Sequence, residues 1–257
     1  MINLKFLGTG SIDTPRPRNK LSKDYRRFAT LLVDDCILID PAEDIFEFES
    51  TFMLPGLMRG AKDIFITHSH IDRFSPLALE RLAKAGGVRI YASPMLENEI
   101  HSISGAEYVP LEPFSLIKLA GHSILPLPAN HKTDDPHEIP FNLLINKGDD
   151  NLFYALDGAW INPAAWQVLS RVRLSCAVLD CANANDELSG KCADHNNLEM
   201  IKMIHGVMTA AGVADERTKF ILSNIPTSKK LSYHDELSEA VADLPFRIAY
   251  DGYFVSI

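Results

Sequence analysis

The chain reads as an α/β protein, and three features of its sequence predict this. Apolar runs of strand length alternate with segments of helical periodicity. Several runs end on side chains that bind cations or protons: residues 64–67 lead into His68-Ser69-His70-Ile71-Asp72-Arg73, and others are followed by His131 and Asp157. Ser75-Pro76, Ser93-Pro94 and Asn162-Pro163 each set a capping side chain before a proline suited to the first helical position. Chemistry in α/β proteins collects at such strand ends. With 257 residues, 46% of them hydrophobic, the chain can bury a substantial core. One domain over residues 1–257 is expected, since no repeat, low-complexity tract or linker marks a boundary.

Taken in order, residues 4–7 form a strand that runs into Gly8-Thr9-Gly10-Ser11. This reads as a tight turn beside a site, or, more weakly, as a phosphate-cradling loop. Residues 12–27 are rich in Pro, Arg and Lys and read as a surface loop, with Arg26 and Arg27 able to reach an anionic substrate. Strands over 28–33 and 36–39 make a hairpin around Asp34-Asp35. Asp40 then either caps a helix over 43–53 or buttresses the central turn; both readings stand. Leu79, Leu82 and Ala83 give the helix after Ser75 its apolar face, and Gly86-Gly87 stops it. A strand over 88–91 and a helix from 93 to about 103 follow.

Residues 108–157 turn to strands, at 114–119, 123–127, 141–145 and 152–156. A helix carrying Trp166 and Leu169, a strand over 174–179 ending at Asp180 and a polar loop with His195 come next. The last elements are a helix over 198–211 stopped by Gly212, a strand over 220–222 leading to Ser223-Asn224, a helix over 233–242 and a strand over 246–249.

Net charge is −9, and the only basic cluster is Arg16, Arg18, Lys20, Lys23, Arg26 and Arg27. Long nucleic acid is therefore a poor partner, and a small anionic substrate is the better one. No apolar run has leader or membrane-span length, so a cytoplasmic protein without a membrane partner is expected. Oligomeric state stays open, a homodimer included. Cys36, Cys176, Cys181 and Cys192 show no CxxC pairing and read as reduced, packed thiols. The central turn is different: imidazoles two apart on irregular backbone can face one cation, with Asp72 close enough to be a third ligand or to hold its water.

These residues resemble the metallo-β-lactamase fold superfamily, whose HxHxDH signature is met by His68-Ser69-His70-Ile71-Asp72 with Arg73 in the last place. Leu7-Gly8-Thr9-Gly10-Ser11, Arg27-Phe28-Ala29-Thr30-Leu31-Leu32 before Leu38-Ile39-Asp40, His131, Asp157-Gly158, His195 and Ala249-Tyr250-Asp251-Gly252 look like the branch of PhnP-like cyclic phosphodiesterases and tRNase Z. The resemblance implies an αββα four-layer sandwich with its site along one edge of two facing sheets. It implies that His68, His70 and His131 bind a first metal, that Asp157 bridges to a second, and that Asp72 serves the second. Two histidines of the family's second site are missing, with Arg73 and Asn224 in their places.

A guanidinium has no lone pair to give, and an amide oxygen is a weak ligand. One divalent ion per chain is therefore expected, Zn or Mn, with Fe allowed. Arg73 would supply a fixed positive charge near the second position, pairing with Asp72 or gripping a substrate oxygen; the plainer reading is that it only neutralises Asp72. Residues 12–27 hold no cysteine, so the cysteine-held zinc of that branch is not expected there. His195 matches the family's histidine that holds or protonates substrate, against a plain helix-start histidine bonded to backbone. His234 reads as a surface residue, and His101, His122, His137 and His205 as structural or exposed.

Together these imply metal-dependent hydrolysis of a small anionic ester, most readily a phosphodiester, by water acidified on the metal. Asp72 would orient or deprotonate that water, Arg73 would stabilise developing charge, and His195 would protonate the departing alkoxide. The rivals are a one-metal lactonase or thioesterase, an iron-dependent enzyme like persulfide dioxygenases, and a non-catalytic anion-binding protein with a degenerate site.

Overall fold

The computed structural model describes residues 1–12, 15–119, 121–186, 193–226 and 232–257. Its strands in chain order are β1 (Asn3–Gly8), β2 (Thr30–Val33), β3 (Ile37–Ile39), β4 (Asp63–Phe65), β5 (Val88–Ala92), β6 (Ala106–Pro110), β7 (Ile117–Leu119), β8 (His122–Pro128), β9 (Phe141–Lys147), β10 (Asp150–Ala155), β11 (Cys176–Asp180), β12 (Lys219–Ser223), β13 (Phe246–Ile248) and β14 (Phe254–Ser256). They form two seven-stranded sheets, ordered β14-β1-β2-β3-β4-β5-β6 and β13-β12-β11-β10-β9-β8-β7.

Period-two alternation explains how both sheets are buried on both faces. In the first sheet Leu31, Val33, Ile37, Ile39, Phe65 and Tyr91 face the other sheet. Their neighbours Leu32, Leu38, Ile64 and Ile90 point the opposite way, against Phe48 of α1 (Phe46–Thr51), Leu79 and Leu82 of α2 (Pro76–Lys84) and Ile100 of α3 (Glu97–His101). The second sheet does the same. Leu143, Ile145, Leu152, Tyr154, Val178 and Ile221 enter the central layer. Leu144, Phe153, Ala177 and Leu222 pack on Leu169 of α4 (Pro163–Leu169), Ile201 and Ile204 of α5 (Leu198–Ala210) and Leu237 of α6 (His234–Ala240). The result is helix, sheet, sheet, helix, the four-layer order the resemblance implied. Among the described residues no helix is long and apolar enough to cross a membrane.

Local chemistry sets the turns. Asp34 and Asp35 carry positive φ angles of 47° and 59°, and the Cys36 N–H donates to Val33 O at 3.1 Å, a left-handed turn within the three-residue connection that pairs Val33 with Ile37. A Cβ on Gly8 would sit 1.9 Å from Phe28 O, and the Gly10 N–H donates to Arg27 O at 2.7 Å. The segment runs on extended rather than turning, with Gly10 bridging Phe28 and Ile225 and neither glycine at positive φ. Its glycines serve the close approach of neighbouring chain, and the Gly10 and Ser11 N–H groups are spent on Arg27 O and Ile225 O rather than left for a phosphate. Cys36 and Cys176 are thiols outside any disulfide, while Cys192 lies outside the described residues.

The helix read over 43–53 is shorter, a 3-10 turn at Glu43–Ile45 followed by α1, because Met53 turns left-handed with φ 54°. The strand read over 114–119 shrinks to β7, since Phe114 has φ 63°. Strands β6 and β14 escape a sequence reading for one reason: each is an edge strand, only partly buried, and needs no apolar alternation.

At the end of the sandwich away from the central turn, Asp34 ties the sheets together. Its Oδ1 accepts from Asn3 N and Nδ2, both at 2.9 Å, and its Oδ2 meets Lys147 Nζ and His122 Nε2, both at 2.8 Å. Burial alone would raise this carboxyl, but the bonds from Lys147, Asn3 and His122 bring it down to about 2. A depressed carboxyl stabilises the fold above its unfolded value of 3.8 and loses that contribution as pH falls through about 2. Asp34→Asn should therefore lower the urea midpoint at pH 7 by the equivalent of about 1–2 kcal/mol, and the gap from native protein should narrow between pH 4 and pH 2.

Candidate metal centre

The carboxyl ends of the central strands meet at one edge, and the chain there is held rigidly. Asp40, just past β3 with φ 51°, accepts from Thr67 N at 2.7 Å and Thr67 Oγ1 at 2.8 Å. No side chain caps the 3-10 turn that follows, so Asp40 buttresses the central turn rather than capping a helix. Having donated its hydroxyl hydrogen, Thr67 Oγ1 is left to accept from His68 Nδ1 at 3.1 Å, which leaves the His68 Nε2 lone pair free. Arg73 N and Phe74 N both donate to His70 O at 2.8 Å, and Ser75 caps α2 through Ala78 N, closing the turn.

Three imidazoles converge here. His68 Nε2 lies 3.0 Å from His70 Nδ1, and His131 Nε2 lies 3.3 Å from the same atom. Burial lowers the His68 ring well below the usual histidine value, and burial lowers His131 as well, so both stay neutral. His131 Nδ1 faces Asp194 O at 3.3 Å, which assigns its proton to Nδ1 and its lone pair to Nε2. A tetrahedral cation bonded to imidazole nitrogens at about 2.0–2.1 Å holds them about 3.3–3.4 Å apart. The donor set, its tautomers and its spacing fit a divalent metal.

A second group adjoins it. Ligand atoms of Asp157, Asp180 and His195 lie within 4.8 Å of one another. His195 Nδ1 is 3.2 Å from Asp180 Oδ2 and 4.0 Å from Asp157 Oδ1. Burial opposes charge on this ring, but Asp180 and then Asp157 outweigh it and raise the imidazole to about 9. His195 is therefore a cation at neutral pH, its ring centre 5.1 Å from that of His131.

Between these carboxylates lies Arg73, with no exposed surface. Its Nε donates to Asp157 Oδ2, its Nη2 to Asn224 Oδ1 at 2.6 Å, and its Nη1 to Ala29 O at 3.3 Å and Asp72 O at 3.4 Å; Nη2 also sits 3.5 Å from Asp72 Oδ2. Asn224, with φ 60° just past β12, uses its amide nitrogen to donate to Asp157 Oδ1 at 2.9 Å and Asp180 Oδ2 at 2.6 Å. One guanidinium and one amide thus knit three buried carboxylates together. Burial would raise Asp157, but adjacent Arg73 holds it well below the usual carboxylate range.

The profile of the family described as "Beta-lactamase superfamily domain" matches residues 36–221. The chain belongs to this family. Its fold is similar to that of the metallo-beta-lactamase fold protein YhfI from Bacillus subtilis, at 15% identity and TM-score 0.73 over 99% of this chain and 98% of that one. It is equally similar to Zn(2+)-bound PqqB from Methylobacterium extorquens, at 13% identity and TM-score 0.73 over 99% and 100%. Human tRNase Z, short form, aligns at 13% identity and TM-score 0.68 over 99% of each chain. No curated protein matches the sequence.

Within this β-lactamase superfamily domain the sequence expectations meet mixed outcomes. His68, His70 and His131 come together from two separate loops. Asp157 was expected as a fourth ligand bridging two metals, but it groups with Asp180 and His195, and both its oxygens accept bonds from Arg73 and Asn224. Asp72 belongs to neither group of ligand atoms and faces Arg73 instead. The fork of Arg73 cannot grip substrate, since it is wholly buried and all three nitrogens face protein acceptors. It neutralises Asp72, as one reading had it, and Asp157 more closely.

Arg26 and Arg27 do not reach the site either. Both are fully buried, Arg27 on Asp251 and Thr51, Arg26 on Ser232 O. His234 is not on the surface; it is buried with its ring centre 5.3 Å from that of Tyr250, and burial pushes it down to about 4. His195 does not serve the start of α5, because Asn197 caps that helix through Met200 N.

Asp180 was read only as a strand end, although its place after an apolar run is the pattern that marked Asp40 and Asp157. Removing one partner from a buried, hydrogen-bonded charge set leaves the rest uncompensated. Arg73→Met should destabilise the protein by about 3–5 kcal/mol in urea denaturation at pH 7.

Proposed function

We propose that this chain is a metal-dependent hydrolase of small anionic esters, most readily phosphodiesters, that works with one divalent ion per chain, zinc or manganese before iron. The observation that carries the reading is the convergence of three imidazoles, His68, His70 and His131, beside a fourth, His195, that Asp180 keeps protonated. A divalent ion held by His68, His70 and His131 supplies a water acidified toward neutral pH and a Lewis acid for an anionic oxygen.

The chain's own residues do the rest. The Asp40–Thr67 pair fixes the His68 ring, and the Asp194 carbonyl fixes His131. With Nδ1 turned to Asp180, His195 has Nε2 left to carry the proton that the departing alkoxide needs. Arg73 and Asn224 take over what a second ion would do for the carboxylates, holding Asp157 and Asp180 in place with a permanent charge and an amide. Similarity in fold to a tRNase Z supports the phosphodiester class, while the net charge of −9 favours a small substrate over long nucleic acid. A cytoplasmic protein, acting alone or as a homodimer, suits this reading.

Chromogenic phosphodiesters, lactones and thioesters assayed with Zn, Mn or Fe test the substrate class; fastest turnover should be on the phosphodiesters, and turnover confined to lactones contradicts it. His68→Ala combined with His70→Ala should abolish both metal binding and activity. His195→Ala should lower kcat/KM by about 10²–10⁴ for an ester with a poor alkoxide leaving group and far less for a p-nitrophenyl ester, whose leaving group needs no proton. Equal losses on the two would remove His195 from the proton's path.

A further inference from the structure

The loop between β8 and β9 brings His131 to the centre, and one of its residues has no part in the chemistry above. Asp135-Pro136-His137-Glu138 is a tight turn: Glu138 N donates to Asp135 O at 3.1 Å, and His137 N to Asp135 Oδ1 at 2.8 Å. Aspartate at the first position and proline at the second suit a type I turn, so the sequence itself delivers Glu138 in a fixed place. There Glu138 Oε2 accepts from Ser69 Oγ at 2.6 Å, and Ser69 stands between His68 and His70. Glu138 is only 7% exposed, and its Oε1 is buried with no hydrogen-bond partner among the described residues.

A buried carboxylate oxygen without a partner is costly and calls for a reason. The other ties of the loop show what this one adds. Ala129 N to Pro140 O, at 2.8 Å, closes the loop's base, and Asn130 exchanges bonds with Ala159 on the Asp157 side. Toward the turn of His68 and His70, the backbone bond from Phe141 N to Thr67 O at 3.0 Å lies at the base. The Glu138–Ser69 bond latches the body of the loop to that turn. It also sets a negative charge one residue from two imidazole ligands, in a centre where Asp157 is already matched by Arg73.

We propose that Glu138 is a positioning residue for the three imidazoles: through Ser69 it clamps the His131 loop onto the His68–His70 turn and offsets the charge of the cation they hold. The proposal rests on the metal reading above. Outer partners of metal ligands commonly govern affinity by about 10–100-fold.

The test is Co(II) binding to the full-length protein, followed by the visible ligand-field spectrum and by competition with a chromophoric chelator, with folding of each metal-free variant checked in urea. Native protein should bind one Co(II). Glu138→Ala should bind about 10–100-fold more weakly and show an altered spectrum. Ser69→Ala, which removes only the latch, should lose part of that affinity. Ser69→Thr keeps the hydroxyl and should restore the native spectrum. Glu138→Gln keeps an acceptor for Ser69 without the charge, and should keep the spectrum while losing affinity. Native affinity and spectrum in a folded Glu138→Ala protein would overturn the proposal and leave the metal reading standing. Failure of native protein to bind Co(II) would overturn both.

Discussion

The buried guanidinium of Arg73 is the interaction on which the rest of the centre depends. Three carboxylates, Asp72, Asp157 and Asp180, sit almost without solvent at the edge of two sheets, an arrangement that repels itself unless a cation is present. Arg73 meets Asp72 and Asp157 directly and reaches Asp180 through the Asn224 amide. Because a guanidinium stays charged at any ordinary pH, this neutralisation is permanent. Under the proposed one-ion reading, it stands in for a second exchangeable ion beside Asp157 and Asp180.

The sandwich explains why residues so far apart in sequence meet. β3, β4 and β5 run parallel, and so do β10, β11, β12 and β13, so the ends of several strands open at the same edge. Asp40, Asp157, Asp180 and Asn224 each follow or close one of those strands, and Asp40, Asp157 and Asn224 bend back with positive φ. Non-glycine residues in that conformation are uncommon and collect at functional sites. The imidazoles come from the loops after β4 and β8. Hydrogen bonds from the rings to Thr67 Oγ1 and to the Asp194 carbonyl settle which nitrogen of His68 and His131 faces the centre.

Much of this was legible in the sequence. The His-x-His-x-Asp turn after an apolar run located the centre, and the proline-led helices marked the layer around it. Arg73 and Asn224 announced a changed second site because neither side chain can replace an imidazole. What the sequence did not reveal is direction. Arg73, Arg26 and Arg27 looked available to an anion, because basic residues in loops are usually solvated, yet all three are buried against oxygen acceptors. Asp157 looked like a bridging ligand, but its oxygens are taken up by its neighbours. Such long-range pairings depend on which strands lie side by side, and local pattern carries little of that information. Edge strands β6 and β14 were hidden for the opposite reason, since their sequences have no buried face to signal.

The central claim is that one cation, not two, occupies this centre, with the Arg73 guanidinium standing where a second would be. Native mass spectrometry of the protein reconstituted with excess zinc and then freed of loosely bound metal tests it most directly. The account predicts one zinc per chain. Two zinc ions per chain, retained with equal tenacity, would contradict it.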